Sequence, residues 1–75
     1  SKPLSEMEAG RQVKITSVSD SSPDFLRYLN KQGIGLNQAI TIREIQVFDK
    51  SVLVELWGKK EVYLSVEAVK KIFVE

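Results

Sequence analysis

Turn-forming residues interrupt this sequence so often that no long regular element is expected. Glycine, proline, serine and asparagine cluster at short intervals along the chain. The clusters are Gly10, Ser17–Pro23, Gly33–Asn37, Asp49–Ser51 and Gly58–Lys60. Short segments with a turn after each one favour a small, β-rich fold.

Most of these segments alternate apolar and polar residues, as strands with one face in water do. The predicted strands are Arg11–Val18, Ala39–Val47, Val52–Leu56, Val62–Leu64 and Ile72–Val74. The third and fourth form a hairpin around the turn at Gly58–Lys60. In the second, the apolar residues change face after Ile42, which predicts a bulge or bend near Arg43 and Glu44.

One helix is predicted from Pro23 to about Gln32. Ser22 suits the N-cap, Pro23 suits the first helical position, and Gly33 suits a left-handed C-terminal cap. Its apolar stripe is Phe25, Leu26 and Leu29. Ser65 is expected to cap a single helical turn before the last strand. The fold class is therefore mainly β: a small, SH3-like, partly open barrel of about five strands, with one helix after the first strand and a short helical turn before the last.

Composition limits the chemistry that this chain can perform. Its 75 residues suffice for one small domain, and they include no histidine or cysteine. No catalytic residues are predicted, and we do not expect an enzyme. The net charge of +1 gives no electrostatic footprint for nucleic acid or an anionic membrane. No apolar run approaches the roughly 18 residues of a membrane span, and the absence of cysteine makes the cytoplasm the expected compartment.

Several motifs, taken in order along the chain, resemble a known family. They are Pro3–Met7 with Gly10, Asp20–Leu29, Gly33–Ile34, and Leu64–Ala68 with Ile72 and Val74. Together they resemble the FeoA-type SH3-like domain, and more narrowly the form found at the C-terminus of metal-dependent repressors of the diphtheria toxin repressor family. The family has Pro-Gly where this chain has Leu36 and Asn37, and asparagine is the residue after glycine that best tolerates positive φ.

Stand-alone FeoA proteins, which are thought to assist the ferrous iron transporter FeoB, form the sister branch and the alternative. They usually carry a second proline in the central loop and an arginine after the leucine of the penultimate strand. This chain has Val47–Ser51 and Ser65 at those places, which favours the repressor branch.

The resemblance implies that residues 1–75 are one domain, the C-terminal piece of a larger regulator. The parent protein would have an N-terminal winged helix-turn-helix that binds DNA and a dimerisation domain with the main Fe(II) or Mn(II) sites. This domain would bind no tight cofactor of its own. Its expected partners are the other domains of the parent repressor and its dimer mate, with DNA contacted only through the N-terminal domain and no membrane partner.

Two sets of site residues follow. In some such repressors this domain lends a Glu, and a Gln three residues later, to an ancillary metal site; here Asp20 and Pro23 hold those places, and Pro23 has no ligand atom in its side chain. Asp20 is thus the candidate metal ligand, alone or with Asp24, although the two carboxylates are more simply interpreted as a turn residue and a partner of the helix dipole.

The second set is a candidate interaction surface on the hairpin. Trp57, Tyr63 and Leu53 fall on its outward-facing positions. They are expected either to form a shallow groove for a peptide or to cover a second small core against the N-terminal residues. The lysines Lys59, Lys60, Lys70 and Lys71 are interpreted as a solvated hairpin tip and helix end rather than a nucleic-acid surface.

Overall fold

The computed structural model describes all 75 residues. Its elements in chain order are β1 (Lys2–Pro3), β2 (Gln12–Val18), α1 (Pro23–Gln32), β3 (Ala39–Ile45), β4 (Val52–Glu55), β5 (Glu61–Leu64), α2 (Val66–Lys71) and β6 (Ile72–Val74). Short 3-10 turns occur at Leu4–Glu6 and Trp57–Lys59. Neither α-helix is long or apolar enough to cross a membrane.

All six strands pair antiparallel in one open sheet with the order β1-β6-β2-β3-β4-β5. The C-terminal strand β6 therefore lies between β1 and β2, and it joins the two ends of the chain. The mainly β, SH3-like fold class predicted from the sequence is confirmed.

The strand count differs from the five predicted, because β1 is an additional strand. Lys2 pairs with Val74 and Pro3 with Phe73. A two-residue strand has no alternation to detect. Proline is tolerated there because β1 is an edge strand, where no N–H group is needed on the open side.

The core consists of sixteen buried residues, all of them hydrophobic, and no polar side chain is buried. Each central strand contributes alternate residues, as a sheet with one wet face requires. The strand residues are Val13, Ile15, Ile40, Ile42, Val52, Val54, Val62, Leu64, Ile72 and Val74. The others are Leu4, Leu29, Ile34, Leu56, Ala68 and Val69, so both helices and the N-terminal 3-10 turn cover the buried face.

The predicted bulge in β3 is confirmed, since the register with β4 shifts between Ile42 and Glu44. A second irregularity, which was not predicted, lies between Ile15 and Ser17, where β2 pairs with β6. Bulges bend strands and increase twist, which curves the sheet around its small core.

The helix α1 begins and ends where the sequence predicts. The Ser22 hydroxyl accepts from the backbone N–H of Phe25 at 3.3 Å, and Gly33 closes the helix with φ of 83°. The apolar stripe is narrower than expected, because Leu29 is buried but Leu26 is 45 % exposed. Asn37 has φ of 66° and keeps the turn in which the family uses glycine.

Candidate functional site

The candidate metal ligand Asp20 lies in the turn between β2 and α1, with both carboxylate oxygens occupied. Oδ1 accepts from the backbone N–H of Ser22 at 2.8 Å, and Oδ2 contacts the ammonium of Lys71, also at 2.8 Å. The Lys71 ammonium, together with the Ser22 N–H group, lowers the pKa of Asp20 to about 2. Asp20 is therefore a fully charged partner in an ion pair at neutral pH.

The surroundings of Asp20 do not fit a transition-metal site. Asp24, the second carboxylate considered, pairs instead with Arg27 at 3.3 Å, and its side chain is 96 % exposed. Nowhere in the chain do three or more His, Cys, Asp or Glu side chains come together. A metal at Asp20 would have a lysine ammonium beside it.

The hairpin of β4 and β5 places two of the three predicted surface residues side by side. Leu53 and Tyr63 are directly opposite each other in the register. Tyr63 is 51 % exposed, and its hydroxyl accepts from the side-chain amide of Gln46 at 3.3 Å. These two residues form one apolar pair on the outer face of the sheet.

Trp57, the third of these residues, lies apart from that pair. It is 91 % exposed at the hairpin tip, where it borders a separate depression of about 280 Å³ with Gln12 and Ala39. Arg43 reaches Glu55 and Glu61, each at 3.7 Å. Glu55 and Glu61 are directly opposite each other, two positions closer to the hairpin tip than Leu53 and Tyr63. Charged side chains therefore lie between Trp57 and Tyr63.

A larger depression, of about 570 Å³, lies at the other end of the hairpin. Its aromatic residues are Tyr28, Phe48 and Tyr63, and we call it the aromatic depression. Phe48 is 98 % exposed and was not singled out from the sequence, although Val47 and Phe48 form an apolar pair directly before the Asp49–Ser51 turn.

The loop that presents Phe48 is held by its own hydrogen bonds. The Asp49 carboxylate accepts from the backbone N–H of Ser51 at 3.0 Å and from its hydroxyl at 2.7 Å. These hydrogen bonds hold the pKa of Asp49 below its usual value. The backbone N–H of Gln46 donates to Ser51 at 2.8 Å across the loop. Phe48 is thus exposed on a loop that internal hydrogen bonds hold in place.

Helix α1 is hydrogen-bonded to the C-terminal end of β5 and to the residue that follows it. The side chain of Gln32 donates to the carbonyl of Tyr63 at 3.1 Å, and the backbone N–H of Ser65 donates to the Tyr28 hydroxyl at 3.0 Å. Burial alone would raise the pKa of Tyr28, but the hydrogen bond from Ser65 helps hold it below its ordinary value. These contacts occupy the Tyr63 carbonyl of the edge strand and the N–H group of the residue that follows it.

The structure is that of a small domain with exposed aromatic side chains. The FeoA domain family matches residues 2–75, and the chain therefore belongs to that family. No curated protein matches the sequence significantly.

Solved structures of two kinds have the same fold. A manganese-dependent transcriptional repressor in complex with manganese is 24 % identical, with a TM-score of 0.90 over 99 % of this chain and 35 % of its own. ScaR with bound Zn²⁺ is 23 % identical, with a TM-score of 0.88 over 100 % of this chain and 36 % of its own. The FeoA-like protein from Clostridium acetobutylicum is 24 % identical, with a TM-score of 0.84 over 99 % of this chain and 84 % of its own.

This chain thus spans about a third of the length of these repressors and most of the length of the FeoA-like protein.

Proposed function

We propose that this FeoA domain is a non-catalytic regulatory module of a metal-dependent, iron- or manganese-responsive transcriptional repressor in the cytoplasm. The observation that carries the proposal is the fit to about a third of a manganese-dependent repressor at a TM-score of 0.90. A parent of that size has room for separate DNA-binding and dimerisation domains. In this proposal the parent's N-terminal domain binds DNA, its principal sites bind Fe(II) or Mn(II), and the FeoA domain contacts neither DNA nor a membrane.

The residues that distinguish the two branches of the family also support the repressor. Ser65 occupies the place where stand-alone FeoA proteins usually have arginine. Its hydroxyl accepts from the backbone N–H of Ala68 at 3.2 Å, which caps α2 in a way that arginine cannot. The central loop, Val47–Ser51, lacks the second proline of the stand-alone proteins and is held by Asp49 instead.

The domain would act through contacts with the other domains of its own chain or with its dimer mate. The exposed Phe48 and Tyr63, with the half-buried Leu53 opposite Tyr63, provide one apolar surface for such contacts, and Trp57 provides a second at the hairpin tip. Exposed aromatic side chains of this kind are enriched at the centres of protein interfaces.

An immunoblot of the native cells tests the parent directly. With an antibody raised against this 8.5 kDa domain, the repressor hypothesis expects a band of roughly three times that mass. Metal-dependent DNA binding by the full-length protein should accompany it. A band near the mass of the domain alone would refute the repressor.

A variant pair tests the contact surface in the full-length protein. Phe48→Ala should shift the metal concentration that gives half-maximal DNA binding, because it removes an exposed aromatic anchor. Val47→Ala is the matched control, since Val47 is the neighbouring exposed apolar residue at 84 %. Equal behaviour of the two variants would argue against a specific contact by Phe48.

The alternative is a stand-alone accessory protein of ferrous iron transport. It is supported by the match to most of the length of the Clostridium acetobutylicum protein. Co-purification of a small native protein with FeoB, without any DNA-binding segment, would favour it.

A further inference from the structure

We propose that the ammonium of Lys71 takes the place of a metal cation at Asp20, so that the turn before α1 is fixed to α2 without any metal. This inference concerns the domain itself, and it holds whether the parent is a repressor or a transport accessory protein. It assigns Asp20 and Lys71 to a built-in latch and removes Asp20 from the candidate metal ligands.

Lys71 contacts the turn before α1 with both its main chain and its side chain. The backbone carbonyl of Lys71 accepts from the N–H of Ser19 at 2.9 Å, and its ammonium contacts Asp20 Oδ2 at 2.8 Å. Because the main chain of Lys71 is already bound to the turn, its side chain needs to span only one residue to reach the carboxylate. The ammonium is therefore held close to Asp20 by the sheet pairing that begins at Ile72.

A third contact holds the ammonium from the side of α1. Lys71 Nζ lies 5.3 Å from the centre of the Phe25 ring, within the range of cation–π attraction. Phe25 in turn stacks on Tyr28, with ring centroids 6.5 Å apart. The one positive charge thus joins the β2–α1 turn, the first turn of α1 and the end of α2.

Few ligands are available to a metal ion at Asp20. It would have to displace the ammonium, Asp24 is paired with Arg27, and no group of three or more carboxylates is available to hold the ion. Oδ1 of Asp20 also accepts from Ser22, which orients the carboxylate toward the helix start. The side chains of Asp20 and Lys71 are 28 % and 37 % exposed, so solvent ions can reach the pair and the question is open to experiment.

Asp49 serves as an internal control for Asp20. Asp49 accepts from the N–H of Ser51 at 3.0 Å, as Asp20 accepts from Ser22 two residues on, but Asp49 forms no ion pair. The two carboxylates share the hydrogen bond from the N–H group two residues on; Asp49 also accepts from the Ser51 hydroxyl, and only Asp20 contacts a lysine.

The test is a titration of the ¹⁵N-labelled 75-residue chain with MnCl₂, in which the paramagnetic ion broadens nearby amide signals. In the wild type, broadening around Asp20 should be no greater than around Asp49. In Lys71→Met, which keeps the apolar stem but removes the charge, broadening around Asp20 should increase several-fold. Lys71→Arg should restore the wild-type pattern.

Selective broadening around Asp20 in the wild type at submillimolar Mn(II) would overturn the latch. So would a Lys71→Met protein, folded by its own amide spectrum, that broadens no more than the wild type; Lys71→Gln provides a second charge-free variant if Lys71→Met does not fold. These results do not depend on the size of the parent, which the immunoblot tests separately.

Discussion

Leu29→Ala is the substitution that most directly tests how α1 is attached to the sheet. Leu29 is the only fully buried residue of α1, with 5 % of its surface exposed. Removing three buried carbons costs about 2.4 kcal/mol at about 0.8 kcal/mol for each. Leu29 also lines a shallow surface groove of about 250 Å³, so solvent or neighbouring side chains can fill part of the space. The cavity term should therefore be small, and we expect a total loss of about 3 kcal/mol in the free energy of unfolding.

Leu26→Ala is the matched control on the same helix and the same groove. Leu26 is 45 % exposed, so the same chemical change should cost only about 1 kcal/mol. Leucine and alanine are both good helix formers, and helix propensity therefore contributes little to the difference. Urea unfolding followed by circular dichroism measures both variants. A cost below about 1 kcal/mol for Leu29→Ala, or equal costs for the two variants, would mean that α1 does not pack as described.

Three further predictions concern the turns that flank α1. Ser22→Ala should lower the free energy of unfolding by about 1 kcal/mol, because it removes the N-cap acceptor, and a neutral result in urea would contradict that role. Gly33→Ala should cost about 1 kcal/mol or more, since Gly33 has φ of 83° and an added Cβ would lie 3.3 Å from Leu56 Cδ1; an unchanged melting temperature would be incompatible with this geometry. The Asp20 carboxylate, whose pKa is lowered to about 2 by Lys71, should contribute stability above about pH 4 that is lost as the pH falls toward 2. The difference in unfolding free energy between wild type and Asp20→Asn should shrink over that interval, and a constant difference would disprove the linkage.

The local elements were predictable because their signals lie within a few residues of one another. Ser22, Pro23 and Gly33 mark both ends of α1, and the structure has the helix between them. The change of face after Ile42 predicted a bulge, because a one-residue shift of parity must be absorbed somewhere in the strand. The family resemblance rests on the order of such local motifs, and the match over residues 2–75 confirms it.

The candidate site was predictable only in part. Leu53 and Tyr63 do lie together, because a two-residue periodicity fixes which face each residue of a hairpin occupies. Periodicity does not say how far along that face two residues are from each other, or what stands between them. The Arg43 side chain with Glu55 and Glu61 lies between Tyr63 and Trp57, and this depends on the pairing of three strands. Phe48 was missed because exposure in a loop leaves no periodic signal.

The sequence by itself determined the helix ends, the hairpin, the bulge in β3 and the lack of imidazole and thiolate chemistry. Each of these depends on residue identity or on neighbours in the chain. Only the tertiary structure decided the placement of β6 between β1 and β2, and with it the partner of Asp20. Lys71 is 51 residues away from Asp20 in sequence, where it reads as one more basic residue at a helix end. The two residues meet only because β6, which follows Lys71, pairs with β2, which precedes Asp20. The ion pair therefore could not be deduced from the local sequence pattern.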